Sequence, residues 1–216
     1  ITFQAAVNCT VAANVYNTSG SATGSIAIPS YDGTTATLDD VTVTTGDPII
    51  VVNTTTDGNV RNSVVSLREA ILLANGALST QALTAAERTQ VSGCIGVGIR
   101  ETINFDGGIF PAGAPGIIPI LASSLPALTD TVGVLLDGFG KGVIVDGANA
   151  TLVGLTVESN TNYMRNFTMK RFGGAAPDGV GILLSTASNN TMIDVTSREN
   201  ATKGIFVSGG SGNIIT

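Results

Sequence analysis

Histidine and tryptophan are both absent from this chain. Without His there is no side chain whose ordinary pKa lies near 7, no His-assisted nucleophilic triad and no imidazole ligand for zinc. Cysteine is confined to Cys9 and Cys94, too far apart for a metal knuckle or a Cys-X-X-Cys redox motif. Charge is scarce: 12% of residues are charged, against roughly 25% in an average domain. The 43% of hydrophobic residues nevertheless excludes a disordered chain, which has the opposite balance. No apolar run approaches the roughly 18–20 residues of a membrane helix. Ten basic residues against 16 acidic ones give a net charge of −6, which offers nothing to nucleic-acid phosphates or an anionic membrane. The sequence therefore predicts no nucleic-acid partner and no membrane span. Its 216 residues suit one domain, or one elongated domain with a small appendage.

The chain begins at Ile1, with no Met and no signal peptide, so the sequence reads as a processed protein or a fragment. Seven Asn-X-Ser/Thr sequons start at Asn8, Asn17, Asn53, Asn149, Asn166, Asn189 and Asn200, each a candidate N-glycosylation acceptor if the chain is exported. In an exported chain Cys9 and Cys94 are expected to form one disulfide, whose long loop would add about 4–5 kcal/mol in the chain-entropy account. Two buried free thiols are the other reading. Low Lys content, the sequons and abundant Thr, Ser, Asn and Gly together predict an extracellular or cell-surface location, with surface glycans among the expected partners.

Residues 1–60 read as an N-terminal β region. Ile1, Phe3, Ala5, Val7, Cys9 and Val11 occupy alternate positions, the pattern of a strand with one buried face. Turn signals at Asp32-Gly33, Gly46-Asp47-Pro48 and Asp57-Gly58 separate further β-branched runs. Residues 61–101 form a predicted helical cap segment. Ser66 and Glu69 make a capping box, Leu67, Ala70, Ile71 and Ala74 follow at helical spacing, and Asn75-Gly76 ends the helix. Thr84 and Glu87 repeat the pattern for a shorter helix. Residues 102–216 are short β runs separated by Gly, Asn, Asp and Ser, too closely spaced for intervening helices, which excludes a βαβ fold.

Those runs repeat. Gly204-Ile205-Phe206-Val207 matches Gly181-Ile182-Leu183-Leu184 at an offset of 23, the same offset that separates Asn213 from Asn190. The segment from Asn190 matches that from Asn162 at an offset of 28. A period of 20–30 residues built of short strands predicts an all-β right-handed parallel β-helix, a β-solenoid. Its end coils present open sheet edges, which the predicted helix would cover at one end. The other end stops inside a coil at Asn213-Ile214-Ile215-Thr216, an expected bare edge. Asn190 and Asn213 are expected to stack their amides as a ladder.

Val65-Ser66-Leu67-Arg68-Glu69-Ala70-Ile71-Leu72-Leu73-Ala74-Asn75 resembles the segment that names the Cys-Ser-Leu-Arg-Glu-Ala (CSLREA) family of surface and secreted proteins. Val51-Val52-Asn53-Thr54-Thr55-Thr56-Asp57, Ile103-Asn104-Phe105-Asp106, Ser124-Leu125-Pro126 and Leu135-Leu136-Asp137-Gly138 are also similar to that family. The resemblance covers about residues 48–216 and implies export and a pectin-lyase-like right-handed parallel β-helix, without implying one activity. Val65 stands where the family often has Cys.

Helices of the pectin-lyase type include lyases and hydrolases, which raises the question of catalytic groups. Lys170 and Arg198, with Arg171 and Glu199 beside them, fall at equivalent positions of neighbouring coils and could serve as a base or polyanion clamp, or as ordinary surface charge. Asp137 and Asp146, each before Gly, could form a glycosidase-like pair, although Asp-Gly reads more simply as turn chemistry. Asp39, Asp40 and Asp194 have no partner cluster for a metal. No catalytic residue, cofactor or metal is assigned. Three functions follow: a structural subunit that self-associates into filaments or a surface layer, a carbohydrate-active or carbohydrate-binding β-helix, and the N-terminal part of a larger adhesin. The first is preferred. Its expected assembly edges are residues 1–11, through Ile1, Phe3 and Val7, and residues 204–216, through Ile205, Val207, Ile214 and Ile215.

Overall fold

The computed structural model describes residues 21–29, 35–44 and 47–216. The chain divides into two compact units, Ile1–Asp47 and Pro48–Thr216. In the first unit, β1 (Ser21–Pro29) and β2 (Thr35–Thr44) form an antiparallel pair whose register slips between Gly24 and Ile26. The expected N-terminal edge strand with Ile1, Phe3 and Val7 lies outside the described residues.

The second unit begins with β3 (Ile49–Val52), followed by α1 (Leu67–Ala74), a 3-10 turn (Thr80–Ala82), α2 (Ala85–Arg88) and β4 (Val91–Ser92). Strands then follow closely: β5 (Thr102–Phe105), β6 (Gly116–Pro119), β7 (Leu135–Asp137), β8 (Val143–Asp146), β9 (Leu155–Val157) and β10 (Tyr163–Lys170). The series continues with β11 (Val180–Ser185), β12 (Thr191–Arg198), β13 (Lys203–Ser208) and β14 (Ile214–Ile215). The described structure is thus mostly strand with few helices, and its larger sheets are parallel. One sheet runs β14-β12-β10-β7-β5-β3-β4, with β8 beside β10 and β6 beside β8, and a second runs β13-β11-β9. Among these strands only β4 breaks the parallel pattern, lying antiparallel against β3.

The repeat offsets become strand registers. Tyr163 pairs with Thr191 and Phe167 with Val195, the offset of 28, while Ile182 pairs with Ile205, the offset of 23. A parallel register places like side chains above one another, so the core is built as columns. Ile50, Ile103, Leu136, Met164 and Met192 are neighbours across five successive strands, and all are almost completely buried. A second column joins Ile118, Val145 and Met169, and a third joins Leu155 and Ile182. Removing this apolar surface from water, at about 25 cal/mol per Å2, is the main drive holding the strands together.

Bends are set by left-handed residues in the same registers. Asn166 and Asp194 have φ of 57° and 52°, and Arg171 and Glu199 have 55° and 58°, although only a few per cent of non-glycine residues adopt positive φ. Asn166 divides β10: the part before it pairs with β7 and the part after it with β8. It also resets the inward alternation, so that Met164 is followed inside by Phe167 and then Met169.

Candidate functional site

The helical motif is tied down by a network of side-chain hydrogen bonds. Ser66 caps α1 by accepting the Glu69 backbone N–H at 3.1 Å, while Glu69 Oε2 accepts the Ser66 N–H at 2.9 Å. Glu69 Oε1 accepts from the Val60 N–H and pairs with Arg61. Leu67, Ala70, Ile71, Leu73 and Ala74 are buried, which places the apolar face of α1 against the core. Arg68 points the other way. Its guanidinium donates to both carboxylate oxygens of Asp57 at 2.8 Å and to the carbonyls of Ser124 and Ser123 at 2.9 and 2.8 Å, so it ties the helix to two loops. Val65 is buried with no exposed surface. Thr84 and Glu87 form the second capping box, and Glu87 also accepts the Asn62 N–H. Burial would raise the Glu87 pKa, but backbone N–H donors and Arg61 hold it below its ordinary value.

A ladder of buried amides runs through the strand layers. Asn190 Oδ1 accepts from the Asn162 backbone N–H at 2.8 Å and from Asn162 Nδ2 at 2.9 Å. Asn190 Nδ2 in turn donates to Asn213 Oδ1 at 3.1 Å. Asn162 Oδ1 accepts from the Val134 N–H, one layer earlier. The sequence offset points to Asn190 and Asn213, and the structure adds Asn162.

The acids singled out for chemistry are engaged elsewhere. Asp137 receives two bonds from Arg165, at 2.7 and 2.8 Å, and one from the Phe139 N–H. Arg165 is the main reason its carboxyl titrates below the ordinary range. Asp146 is buried, which alone would raise its pKa. Arg171, the Ala148 N–H and Lys170 outweigh that and lower it. The bonds from Phe139 and Ala148, each two residues on, are the Asx-turn chemistry that Asp-Gly favours. Lys170 does pair in register with Arg198, but Lys170 lies 3.4 Å from Asp146 and Arg198 pairs with Glu199. Asp39 and Asp40 lie on β2. Among the described residues no three Cys, Asp or Glu side chains gather as a metal site, and no helix is long and apolar enough to cross a membrane.

Two features escaped the sequence. Glu101 and Asp130 are buried acids that grip one loop: Glu101 Oε1 accepts the Gly96 N–H and Asp130 Oδ2 the Gly98 N–H, each at 2.7 Å. Glu101 Oε2 is buried without a hydrogen-bond partner. Burial, with a smaller contribution from Asp130, pushes the Glu101 pKa up to about 8. The second is a groove of about 280 Å3 on the outer face of the larger sheet, lined by Lys141, Ile144, Asn166, Thr168, Asp194 and Thr196 among others. Neither carries a sequence motif, because each is assembled from separate strands and loops.

The expected C-terminal edge is formed by β13 and β14, each with one strand partner among the described residues. Ile215 lies next to Met192 in the first core column and Val207 next to Leu184, yet they are 46% and 42% exposed, and Ile214 is 55% exposed. Ile205 is half-buried and packs on the core. Cys94 follows β4 and is disulfide-bonded. Cys9, Asn8 and Asn17 lie outside the described residues. Of the other sequons, Asn149 and Asn189 are exposed, whereas Asn53, Asn166 and Asn200 are half-buried. No protein-family model, curated protein or solved structure matches the chain.

Proposed function

We propose that this chain is a structural module of an extracellular or cell-surface assembly. It is read as a right-handed parallel β-helix with α1 covering its first layer, and it associates with further copies of itself through the edge of β13 and β14. Parallel strands joined by crossovers are right-handed in about 98% of cases, and registers offset by 28 and 23 give one layer per repeat. The resemblance of residues 65–75 to the CSLREA segment supports export.

One observation carries the assembly reading. The core columns reach the surface at Ile215 and Val207, where side chains that are buried in every earlier layer stand exposed. A further parallel layer, taken in this proposal from a second copy, would bury them and pair with the main-chain groups of β13 and β14 that have no strand partner among the described residues. Arg165, Lys170 and Arg171 neutralise Asp137 and Asp146, which favours a structural role for these acids over a catalytic one.

Light scattering on the purified chain over a hundredfold concentration range, with electron microscopy of the same sample, tests the proposal. Oligomers or end-to-end stacks that dissociate in the Val207→Lys/Ile215→Lys variant are expected. A species of 21.7 kDa at every concentration overturns it. The groove favours a second reading, a carbohydrate-binding β-helix. Lys141, Asn166, Thr168, Asp194 and Thr196 line it, and their side chains make no hydrogen bond or ion pair among the described residues. Sugar binding to the wild type that is lost in Lys141→Ala would select that reading.

A further inference from the structure

The described sequons share a motif but differ in the space around their amides. Asn149 and Asn189 sit at turns with φ of 64° and 57°, and both are exposed. Their backbone N–H groups hold the neighbouring layer by donating to the Arg171 and Ser211 carbonyls. Their side-chain amides make no hydrogen bond among the described residues. The turn is therefore fixed by the main chain, and the amide nitrogen can carry a substituent without breaking a hydrogen bond, although the Asn189 oxygen packs on Gly212, where a β-carbon would lie 2.3 Å from it.

Asn200 is the opposite case. Its Oδ1 accepts the Phe172 N–H at 3.1 Å and its Nδ2 donates to Ser197 Oγ at 3.0 Å. The same Nδ2 stands 2.7 Å from where a β-carbon on Gly181 would lie. Even a methyl group does not fit beside it, and a sugar ring is far larger.

We propose that Asn149 and Asn189, the exposed pair, are N-glycosylation sites of the folded second unit and that Asn200 stays unmodified. The proposal rests on the reading that the chain is exported. In the transfer step the side-chain nitrogen attacks C1 of an oligosaccharide carried on a lipid pyrophosphate. A carbon–nitrogen bond forms, the bond from C1 to the pyrophosphate oxygen breaks, the lipid pyrophosphate leaves with its electron pair, and the amide nitrogen loses one proton. The product keeps one N–H. At Asn149 and Asn189 nothing in the fold needs the other, whereas at Asn200 the attached ring would displace the amide from Ser197 and Gly181. Burying an amide without its partner costs about 1–3 kcal/mol, which disfavours a folded product carrying sugar there.

The test is site-resolved mass spectrometry of the soluble chain secreted from a eukaryotic host, after enzymatic glycan release in heavy-oxygen water, which converts each occupied Asn to a labelled Asp. Label at Asn149 and Asn189 with an unlabelled Asn200 peptide is expected, and N149Q/N189Q should lose both of these glycans while remaining soluble. Label at Asn200 in the folded fraction, or its absence at both Asn149 and Asn189, overturns the proposal. Because the host supplies export and the transferase, this outcome is independent of the native location. Peptide mapping of protein from its natural source tests that separately: Asn149 and Asn189 peptides without sugar there would count against the export reading while leaving the selection among Asn residues standing.

Discussion

Asn162 and Asn190 stand one above the other, 28 positions apart in the chain, and a single oxygen, Asn190 Oδ1, accepts from both the backbone N–H and the side-chain amide of Asn162. Both residues are almost completely buried, so water cannot replace the acceptor. Asn190→Ala is expected to orphan the Asn162 N–H and to leave a small cavity, costing about 3 kcal/mol and lowering the urea midpoint by on the order of 1–2 M. Asn213→Ala, at the half-buried last step of the ladder, should cost clearly less. Equal midpoints for the two variants would show that the ladder contributes nothing special to stability.

Arg68 makes four hydrogen bonds with one planar group, two to Asp57 and one each to the Ser123 and Ser124 carbonyls. Its fork geometry is what a Lys cannot reproduce. Arg68→Met, which keeps the stem, should destabilise by about 2 kcal/mol and raise hydrogen exchange in α1 and in the loop at residues 122–126. Arg68→Lys should recover little of that loss. Full recovery by Lys would mean that charge alone, without the fork, holds the loops.

Much of this fold can be read directly because its signals are local or periodic. The capping boxes at Ser66 and Thr84 need only four consecutive residues, and the offsets of 28 and 23 reappear as Tyr163 beside Thr191 and Ile182 beside Ile205. What escapes is long-range or conformational. Nothing in the residue type marks Arg68 for Ser124, or Glu101 as a companion of Asp130. Strict alternation also fails across β10, because left-handed Asn166 shifts the inward phase by one residue. Asp137 and Asp146 can be read as turn formers from their following glycines, but their arginine partners come from β10 and the residue after it, 28 and 25 positions on. The exposed rim of Ile214, Ile215 and Val207 is visible in the sequence as apolar runs. That Ile215 extends the first core column needs the strand register.

Gly138 and Gly140 separate steric crowding from backbone strain. A β-carbon on Gly138 would lie 2.1 Å from the Asn166 carbonyl oxygen, whereas at Gly140, with φ of 67°, nothing lies within 4 Å. Gly138→Ala forces the layers apart and is expected to cost about 3 kcal/mol. Gly140→Ala carries only the left-handed penalty of about 1 kcal/mol. Thermal melts of the two variants should rank in that order. The reverse order would mean that the strand layers separate easily at this bend.

Glu101 predicts how stability follows pH. Its folded pKa of about 8 lies above the ordinary 4.5, so the folded state binds this proton more tightly than the unfolded chain does. The contribution is fully present below pH 4.5, declines as pH rises and is gone above about 8. It amounts to at most roughly 5 kcal/mol. Asp137 acts in the opposite direction: its lowered pKa stabilises above the ordinary carboxylate value and is lost as the solution becomes more acidic. Wild-type stability should therefore fall at both ends. Glu101→Gln has no proton to lose, and its side-chain carbonyl still accepts the Gly96 N–H, so its urea midpoint should stay level between pH 5 and 8.5 while that of the wild type falls. Parallel curves for the two proteins would mean that the buried oxygen is solvated in solution and that Asp130 and Glu101 do not act as a pair.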